Sequence, residues 1–347
     1  MQEKLQRAWF NNHQWVWILF PFTLLFFVIS TLRRKFYGFS WLASTGSKIP
    51  VIIVGNIGIG GNGKTPVVLS LVSWFQQNGY TPVVLSRGYG GQCKQFPYLL
   101  QNNDKPDLVG DEPALINNRA LCEVVIDPNR GRAAQYIERN LKCDVIICDD
   151  GMQHYALKRD IELCVVDKRG LGNGFLLPMG PLREGAWRLN TVSAIIENKG
   201  VATEIDELQN NKPNWFPKMC DTPYFGANLV PTYWINVHTK EKVAIDDFSS
   251  YLNEQNILAM AGIGDPQRFF DTLISLGITA TEQKGYPDHY QYLSHDIPKN
   301  KLILMTEKDA VKCTEFAHKH CWYLLIETNL NDEFFHFVEK KLATKKE

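Results

Sequence analysis

Apolar residues are distributed along the chain in two rhythms. One is a single long block. From Ala8 to Leu32 there is no Lys, Arg, Asp or Glu, and Trp15 to Ser30 reads WVWILFPFTLLFFVIS. Sixteen helical residues rise roughly 24 Å, a little short of the ~30 Å hydrocarbon layer of a bilayer. Pro21, near the middle, predicts a kink. The other rhythm is a series of short apolar runs: VIIVG (51–55), PVVLS (82–86), EVVID (123–127), DVIIC (144–148), ELCVVD (162–167) and VSAIIEN (192–198). Runs without polar alternation suit strands covered on both faces, hence a mostly parallel sheet flanked by helices. Helices between them are announced by an acidic residue before proline, in GDEPALINN and IDPNRGRAAQYIERN. Polar, proline-bearing residues 200–222 read as a connector and YFGANLVPTYWINV (224–237) as a β linker. NILAMAGIGDPQRFFDTLISLG (256–277) opens a smaller α/β unit, and EKKLATKKE reads as a solvated helix end. The expected division is 1–40 for a membrane-associated helix, 41–222 for the main α/β domain and 223–347 for the smaller one.

Composition narrows the class. The 347 residues, 45% hydrophobic and 12% aromatic, suffice for two folded domains. A formal charge of zero gives no reason to expect nucleic acid as a partner. The eight cysteines include no CxxC pair and several lie in strand-like runs, the usage of a reducing compartment. Cys313, His318, His320 and Cys321 stand close together but match no common zinc spacing. Arg33-Arg34-Lys35 follows the apolar block directly, and no A-x-A-like cleavage site precedes the next domain. The block is therefore read as a membrane anchor, spanning or half-sunk in one leaflet, with the rest of the chain in the cytoplasm. A buried core helix is the alternative.

The chemistry begins after the first strand. Gly58-Ile59-Gly60-Gly61-Asn62-Gly63-Lys64-Thr65 fits G-x-x-x-x-G-K-[ST], with a strand before it and a helix after. Glycines leave backbone N–H groups bare, and the following helix adds a positive dipole end, so the loop suits a nucleotide triphosphate. Lys64 is expected at the β/γ-phosphates and the Thr65 hydroxyl on Mg²⁺. DVIICDDGMQH places Asp149 and Asp150 at the end of another buried strand, where two adjacent carboxylates call for a cation. Gln153 and His154 follow in that turn, as substrate or nucleotide contacts or as plain polar loop. A guanine-binding N-K-x-D is absent: ENKGV has Val201 in the aspartate's place.

The stretches VGNIGIGGNGKTP, LSRGYGG, GDEPALI, DDGMQH, LLPMGPLREG, AGIGDPQRFF, YPDHY and LMTEKDAVK together resemble the tetraacyldisaccharide 4′-kinase family. These are P-loop kinases of lipid A biosynthesis. The resemblance runs from the apolar segment to about residue 312. It implies ATP and Mg²⁺, a lipid A disaccharide precursor as substrate, and the cytoplasmic face of the bacterial inner membrane. No obligate protein partner is expected. It makes Asp111 the catalytic aspartate that accepts the sugar hydroxyl proton, although Asp111-Glu112-Pro113 reads equally as a helix cap. His289 becomes its partner, the two uniting only when the lobes close. Arg183 is expected to stabilise phosphate charge and Glu184 to help around the metal; a surface ion pair is the alternative. Arg87 and Tyr89 are candidates for the sugar or its 1-phosphate, as are Arg130 and Arg132, which a solvent-facing helix turn explains almost as well. Glu307, Lys308 and Asp309 match a family motif without a derivable role. A P-loop kinase of a soluble hydroxyl substrate and a nucleotide-gated membrane adaptor are the other readings the chain allows.

Overall fold

The computed structural model describes residues 2–61, 63–120, 122–202, 211–252 and 256–346. Among these, thirteen strands join in one sheet. They are β1 (Val51–Gly55), β2 (Pro82–Ser86), β3 (Tyr98–Leu99), β4 (Val124–Ile126), β5 (Val145–Asp149), β6 (Ile161–Asp167), β7 (Ala194–Val201), β8 (Tyr224–Asn236), β9 (Lys242–Ala244), β10 (Ile257–Ala261), β11 (Glu282–Gly285), β12 (Leu302–Thr306) and β13 (Cys321–Leu330). Their order is β11-β10-β12-β13-β8-β7-β6-β1-β5-β2-β4-β3, with β9 alongside β8.

The expected α/β, P-loop NTPase-like architecture is what the strands build. β2, β5, β1, β6, β7 and the start of β8 run parallel, as do β11, β10, β12 and β13. The two parallel sets are stitched antiparallel by β8 and β13, from Trp322 opposite Asn236 to Leu330 opposite Ala227. The ladder shifts register where Pro231, lacking an N–H, faces Ile326. Alternate residues of β1 feed opposite cores. Ile52 and Val54 meet Val68, Leu71 and Phe75 of helix Lys64–Gln77, while Val51 and Ile53 join Ala133, Ala134 and Ile137 of helix Arg130–Asn140. That second helix starts later than the sequence suggested: Asn129, not Asp127, caps it, accepting from Arg132 N–H.

The boundary at 222/223 does not divide the cores. The last helix, Asp332–Lys346, returns to the first half, where Phe334, Phe335, Val338 and Leu342 pack with Val67, Phe75 and Phe225. Trp74 and Phe335 stack with centroids 5.4 Å apart. Its first turns are thus core, while in EKKLATKKE Glu339, Lys340, Lys341 and Ala343 are exposed as expected and Leu342 is buried.

The N-terminal block forms a 3₁₀ segment, Gln14–Leu19, followed by helix Phe20–Gly38. Pro21 occupies the first turn of that helix rather than kinking a longer one, because its missing N–H has no intrahelical acceptor there. The block is long and apolar enough to cross a membrane, yet only 11% of its apolar window is buried, which excludes a core helix. It is docked at both ends. Thr23 Oγ1 accepts from Met179 N–H at 3.0 Å, and the Arg34 guanidinium lies 3.6 Å over the Trp187 ring. Tyr37 faces Tyr155. A helix held at both ends lies along the body. Ile18, Phe22, Leu25 and Ile29, at helical spacing, stay exposed.

Candidate active site

The phosphate loop leaves β1 and enters helix Lys64–Gln77 as its sequence requires. Gly63 adopts φ +81°, and a Cβ there would meet Asn198 Nδ2 at 2.2 Å, so only glycine fits. The loop's entry is pinned by backbone pairing with the PLRE segment: Ile59 N–H donates to Pro181 O at 2.9 Å and Arg183 N–H to Ile57 O at 2.7 Å. This pairing, not proximity in sequence, brings Arg183 to the loop. Asn62 lies outside the described residues; Gly58, Ile59, Gly60, Gly61 and Gly63 stand between β1 and the helix, which Lys64 and Thr65 open.

Lys64 Nζ sits 3.0 Å from Asp150 Oδ1 and 3.5 Å from Asn56 Oδ1. Arg183 Nη1 is 3.6 Å from Asp150 Oδ2 and 3.4 Å from Gln153 Oε1, and Gln153 donates to Asn56 O at 2.9 Å. Asp150 holds φ +48°, a left-handed turn that accompanies its departure from the strand. Burial opposes its ionisation, but Lys64 and Arg183 hold its carboxyl below the usual range. Asp149 is the contrast. It is 1% exposed, and neither carboxylate oxygen has a hydrogen-bond donor. Burial, with the nearby Glu112 carboxylate, pushes its pKa up. Two bare oxygens on a buried acid beside a phosphate loop fit a hard cation such as Mg²⁺.

Glu184 is not brought to that pair. Its oxygens are taken by the Tyr155 hydroxyl and, at 3.0 Å, by Arg188 Nε. Arg188 in turn grips Glu162, which also pairs with Arg159. Glu184 belongs to this buried framework, so its expected place around the metal is corrected.

Asp111 opens helix Asp111–Ala120 and is 3% exposed. His289 Nδ1 lies 3.0 Å from Asp111 Oδ2. The pair is assembled in this structure without further closure, contrary to the expectation that the halves must first move. His289 has φ +62°, the left-handed turn of its YPDHY loop. Burial opposes ionisation of Asp111, but the His289 hydrogen bond and the Lys312 and Lys308 cations hold its pKa below the usual carboxylate range. Tyr89, exposed, sets its ring 5.2 Å from His289, edge to face.

The candidate sugar-site arginines separate. Arg87 is exposed. Arg130 is buried, donating to Asp127 O at 3.3 Å and Asp149 O at 3.0 Å, so it braces the strand ends instead of facing solvent. Arg132 forms a two-point pair with Asp127, Nε to Oδ2 at 2.7 Å and Nη2 to Oδ1 at 2.8 Å. His154 is pushed down to about 4 by burial, with Arg130, Arg87 and Arg33 adding to it. It is a neutral ring in a cationic basin.

Residues from the second half that lie in quoted motifs but had no role assigned complete the cleft. Arg268 Nη1 donates to Gly61 O at 3.2 Å, and its Nη2 pairs with Asp167 at 2.6 Å, gripping the phosphate loop. Its place in the first turn after a strand and glycine turn was the available signal. Glu307 pairs with Arg119 at 2.8 Å, and Lys308 bridges Asp288 at 2.9 Å and Glu112 at 3.7 Å. The TEKDAVK motif thus ties the halves together. The four-residue set Cys313, His318, His320 and Cys321 forms no metal-holding cluster among the described residues.

The model of the family described as tetraacyldisaccharide-1-P 4'-kinase (LpxK) matches residues 15–343. The chain is 40% identical to the tetraacyldisaccharide 4'-kinase of Histophilus somni over 97% of its length and 99% of the relative's. It is 43% identical to that of Pseudoalteromonas atlantica, covering 94% of this chain and 100% of the other. A crystal structure of LpxK from Aquifex aeolicus in complex with ATP superposes with a TM-score of 0.77 at 27% identity, covering 95% of this chain and 99% of that one. The chain belongs to the tetraacyldisaccharide-1-P 4'-kinase family.

Proposed function

We propose that the protein moves the γ-phosphoryl group of ATP onto the 4′-hydroxyl of a tetraacyl glucosamine disaccharide 1-phosphate, the step that yields lipid IVA, at the cytoplasmic face of the inner membrane. The observation carrying the reading is the 3.0 Å contact of Asp111 with His289. It sets an ionised, buried carboxylate on the helix whose next residue, Glu112, influences Asp149.

The glycine amides of 58–63 cradle the phosphates, and Lys64 exchanges Asp150 for the β/γ-oxygens. Arg183, on a segment fixed to the loop by backbone pairing, faces the charge that develops on the transferred group. Thr65, Asp149 and Asp150 would hold Mg²⁺, which when bound would supply charge that neutralises the phosphates. Asp111 accepts the proton of the 4′-hydroxyl as attack proceeds, and His289 keeps the carboxylate aimed. Arg87, Tyr89 and Gln153, with His154, line the side from which an anionic sugar would approach. The docked apolar helix brings this cleft to the bilayer, where a tetraacyl substrate stays, since each buried CH₂ contributes about 0.8 kcal/mol.

Purified protein given Mg·ATP labelled at the γ-phosphate and a lipid A precursor in mixed micelles tests the reading. Label on the 4′ position, lost in Asp111→Asn, supports it. Transfer to a water-soluble acceptor with none to the lipid overturns it.

A further inference from the structure

We infer that Lys312 is a positioning residue for the phosphoryl transfer, a buried cation that keeps Asp111 in its proton-accepting form. Its side chain is 1% exposed, and its Nζ lies 3.8 Å from Asp111 Oδ2 and 3.1 Å from Asp309 Oδ1. Asp309, fully buried, is fixed independently. Its Oδ2 accepts from Gly262 N–H at 3.0 Å and Thr306 Oγ1 at 2.6 Å, and its Oδ1 from the Tyr292 hydroxyl at 3.0 Å. The Lys312 ammonium also lies over the Tyr292 ring, 4.9 Å from its centroid. The ammonium therefore has one arrangement, anchored in the second half and aimed at a carboxylate of the first.

Asp111 is faced by His289 from the YPDHY loop, by Lys312 and Lys308 from helix Glu307–Cys313, and by Glu112 on its own helix. Asp288 pairs with Lys308 at 2.9 Å and lies 3.8 Å from His289 Nε2. Of these cations Lys308 is divided between Glu112 and Asp288, and His289 is charged only when protonated. Lys312 is the most deeply buried of the three, its side chain 1% exposed against 15% for Lys308 and 29% for His289. A cation within about 4–6 Å lowers a carboxylate pKa by about one unit or more. The last four residues of the TEKDAVK motif, which hold Asp309 and Lys312, thereby acquire a role in the chemistry.

The inference rests on Asp111 being the general base, and the experiment separates the two. The pH dependence of kcat/KM is measured for the wild type, Lys312→Met, Lys312→Arg and the pair Lys312→Gln/Asp309→Asn, in which neither charge is left buried alone. Loss of Lys312 is expected to move the acid limb up by about one unit, lower kcat and leave KM for ATP in place. Lys312→Arg restores the limb. The paired variant, in which the nearer cation and the farther anion are both gone, still shows the upward movement, so the inference remains testable if Lys312→Met does not fold. An acid limb unmoved in folded variants, with activity falling only in proportion to folded protein, overturns it. Wild-type rates in Asp111→Asn overturn the general-base reading instead.

Discussion

Two aspartates face one cleft, and the protein treats them in opposite ways. Asp149, at the end of β5, is buried with both oxygens bare and its pKa pushed up by burial and by Glu112. Asp111, at a helix start, is equally buried but meets His289 at 3.0 Å and Lys312 at 3.8 Å, and is held ionised. In the proposed mechanism the same side chain serves as a seat for positive charge in one place and as a base in the other. What differs is which groups the fold delivers from the second half. Lys312 and His289 both come from there, whereas no described residue of that half hydrogen-bonds or pairs with Asp149.

That contrast predicts different costs for the same substitution. Asp149→Asn should lower transfer by at least about 10³-fold, yet leave the melting temperature without Mg²⁺ unchanged or higher, because it removes a buried charge that lacks a partner. Asp111→Asn should lower kcat by about 10²–10⁴-fold and also destabilise by about 1–3 kcal/mol, since His289 and Lys312 lose a charged partner, although Lys312 keeps Asp309 at 3.1 Å. Calorimetry beside turnover reads both. Equal melting shifts for the two variants would erase the distinction.

Much of this arrangement is legible in the chain. Continuous Val/Ile runs announce buried parallel strands because no polar residue interrupts them, and all six appear, displaced at most by two or three residues. The phosphate loop is legible because glycine, lysine and threonine at that offset have one physical use. Glu184 was not, because a carboxylate next to Arg183 in sequence does not reveal that Arg188, one helical turn on, will claim it. Arg130 was misread for a similar reason: polarity suggests solvent, but only the fold shows the carbonyls of Asp127 and Asp149 waiting for it. The apolar face of helix Asp332–Lys346 declares that it will be buried, but not in which half. Lys312 and Arg268 act across the seam between halves, and a contact between residues so far apart in the chain leaves no local pattern.

The seam offers the next test. Arg268 links the second half to the phosphate loop and to Asp167, while Arg119 links the halves through Glu307 and Ile326 O, away from the glycines. Arg268→Ala should cost about tenfold in kcat, since the loop loses its outer brace, while Asp167 keeps Arg169 at 2.6 Å. Arg119→Ala should cost mainly stability, about 1–3 kcal/mol, by leaving the buried Glu307 unpaired. Steady-state kinetics and thermal melts on both variants separate the roles; interchangeable effects would show that the two links act as one.

A smaller effect follows from pH. Asp167 has its pKa lowered: burial opposes this, but Arg169 and Arg268 outweigh it. Asp111 shifts the same way. A carboxyl depressed on folding from its ordinary value of 3.8 adds stability that is complete above that value and lost as pH falls through the folded one. Unfolding free energy measured in denaturant should therefore decline below about pH 4. Arg268→Ala should flatten that decline, because Asp167 then keeps one cation instead of two. A decline of unchanged depth would place the acid-sensitive pairs elsewhere.

The smallest effect on chemistry is expected from the region farthest from it. Helix Phe20–Gly38 is pinned through Thr23 and Arg34, so its outer residues touch no part of the site. Phe22→Glu with Leu25→Glu replaces two exposed apolar side chains by charges on the face turned from the body. Withdrawing one such side chain from a bilayer forfeits about 1.5–3 kcal/mol, so vesicle binding should weaken by about a hundredfold or more. Turnover on substrate dispersed in mixed micelles should stay within about twofold, because the docking residues are untouched. Sedimentation with vesicles and micellar turnover, measured on the same preparation, make the contrast visible. If both fall together, the helix shapes the cleft as well as carrying it to the membrane. If neither falls, its exposed face is not what meets the lipid.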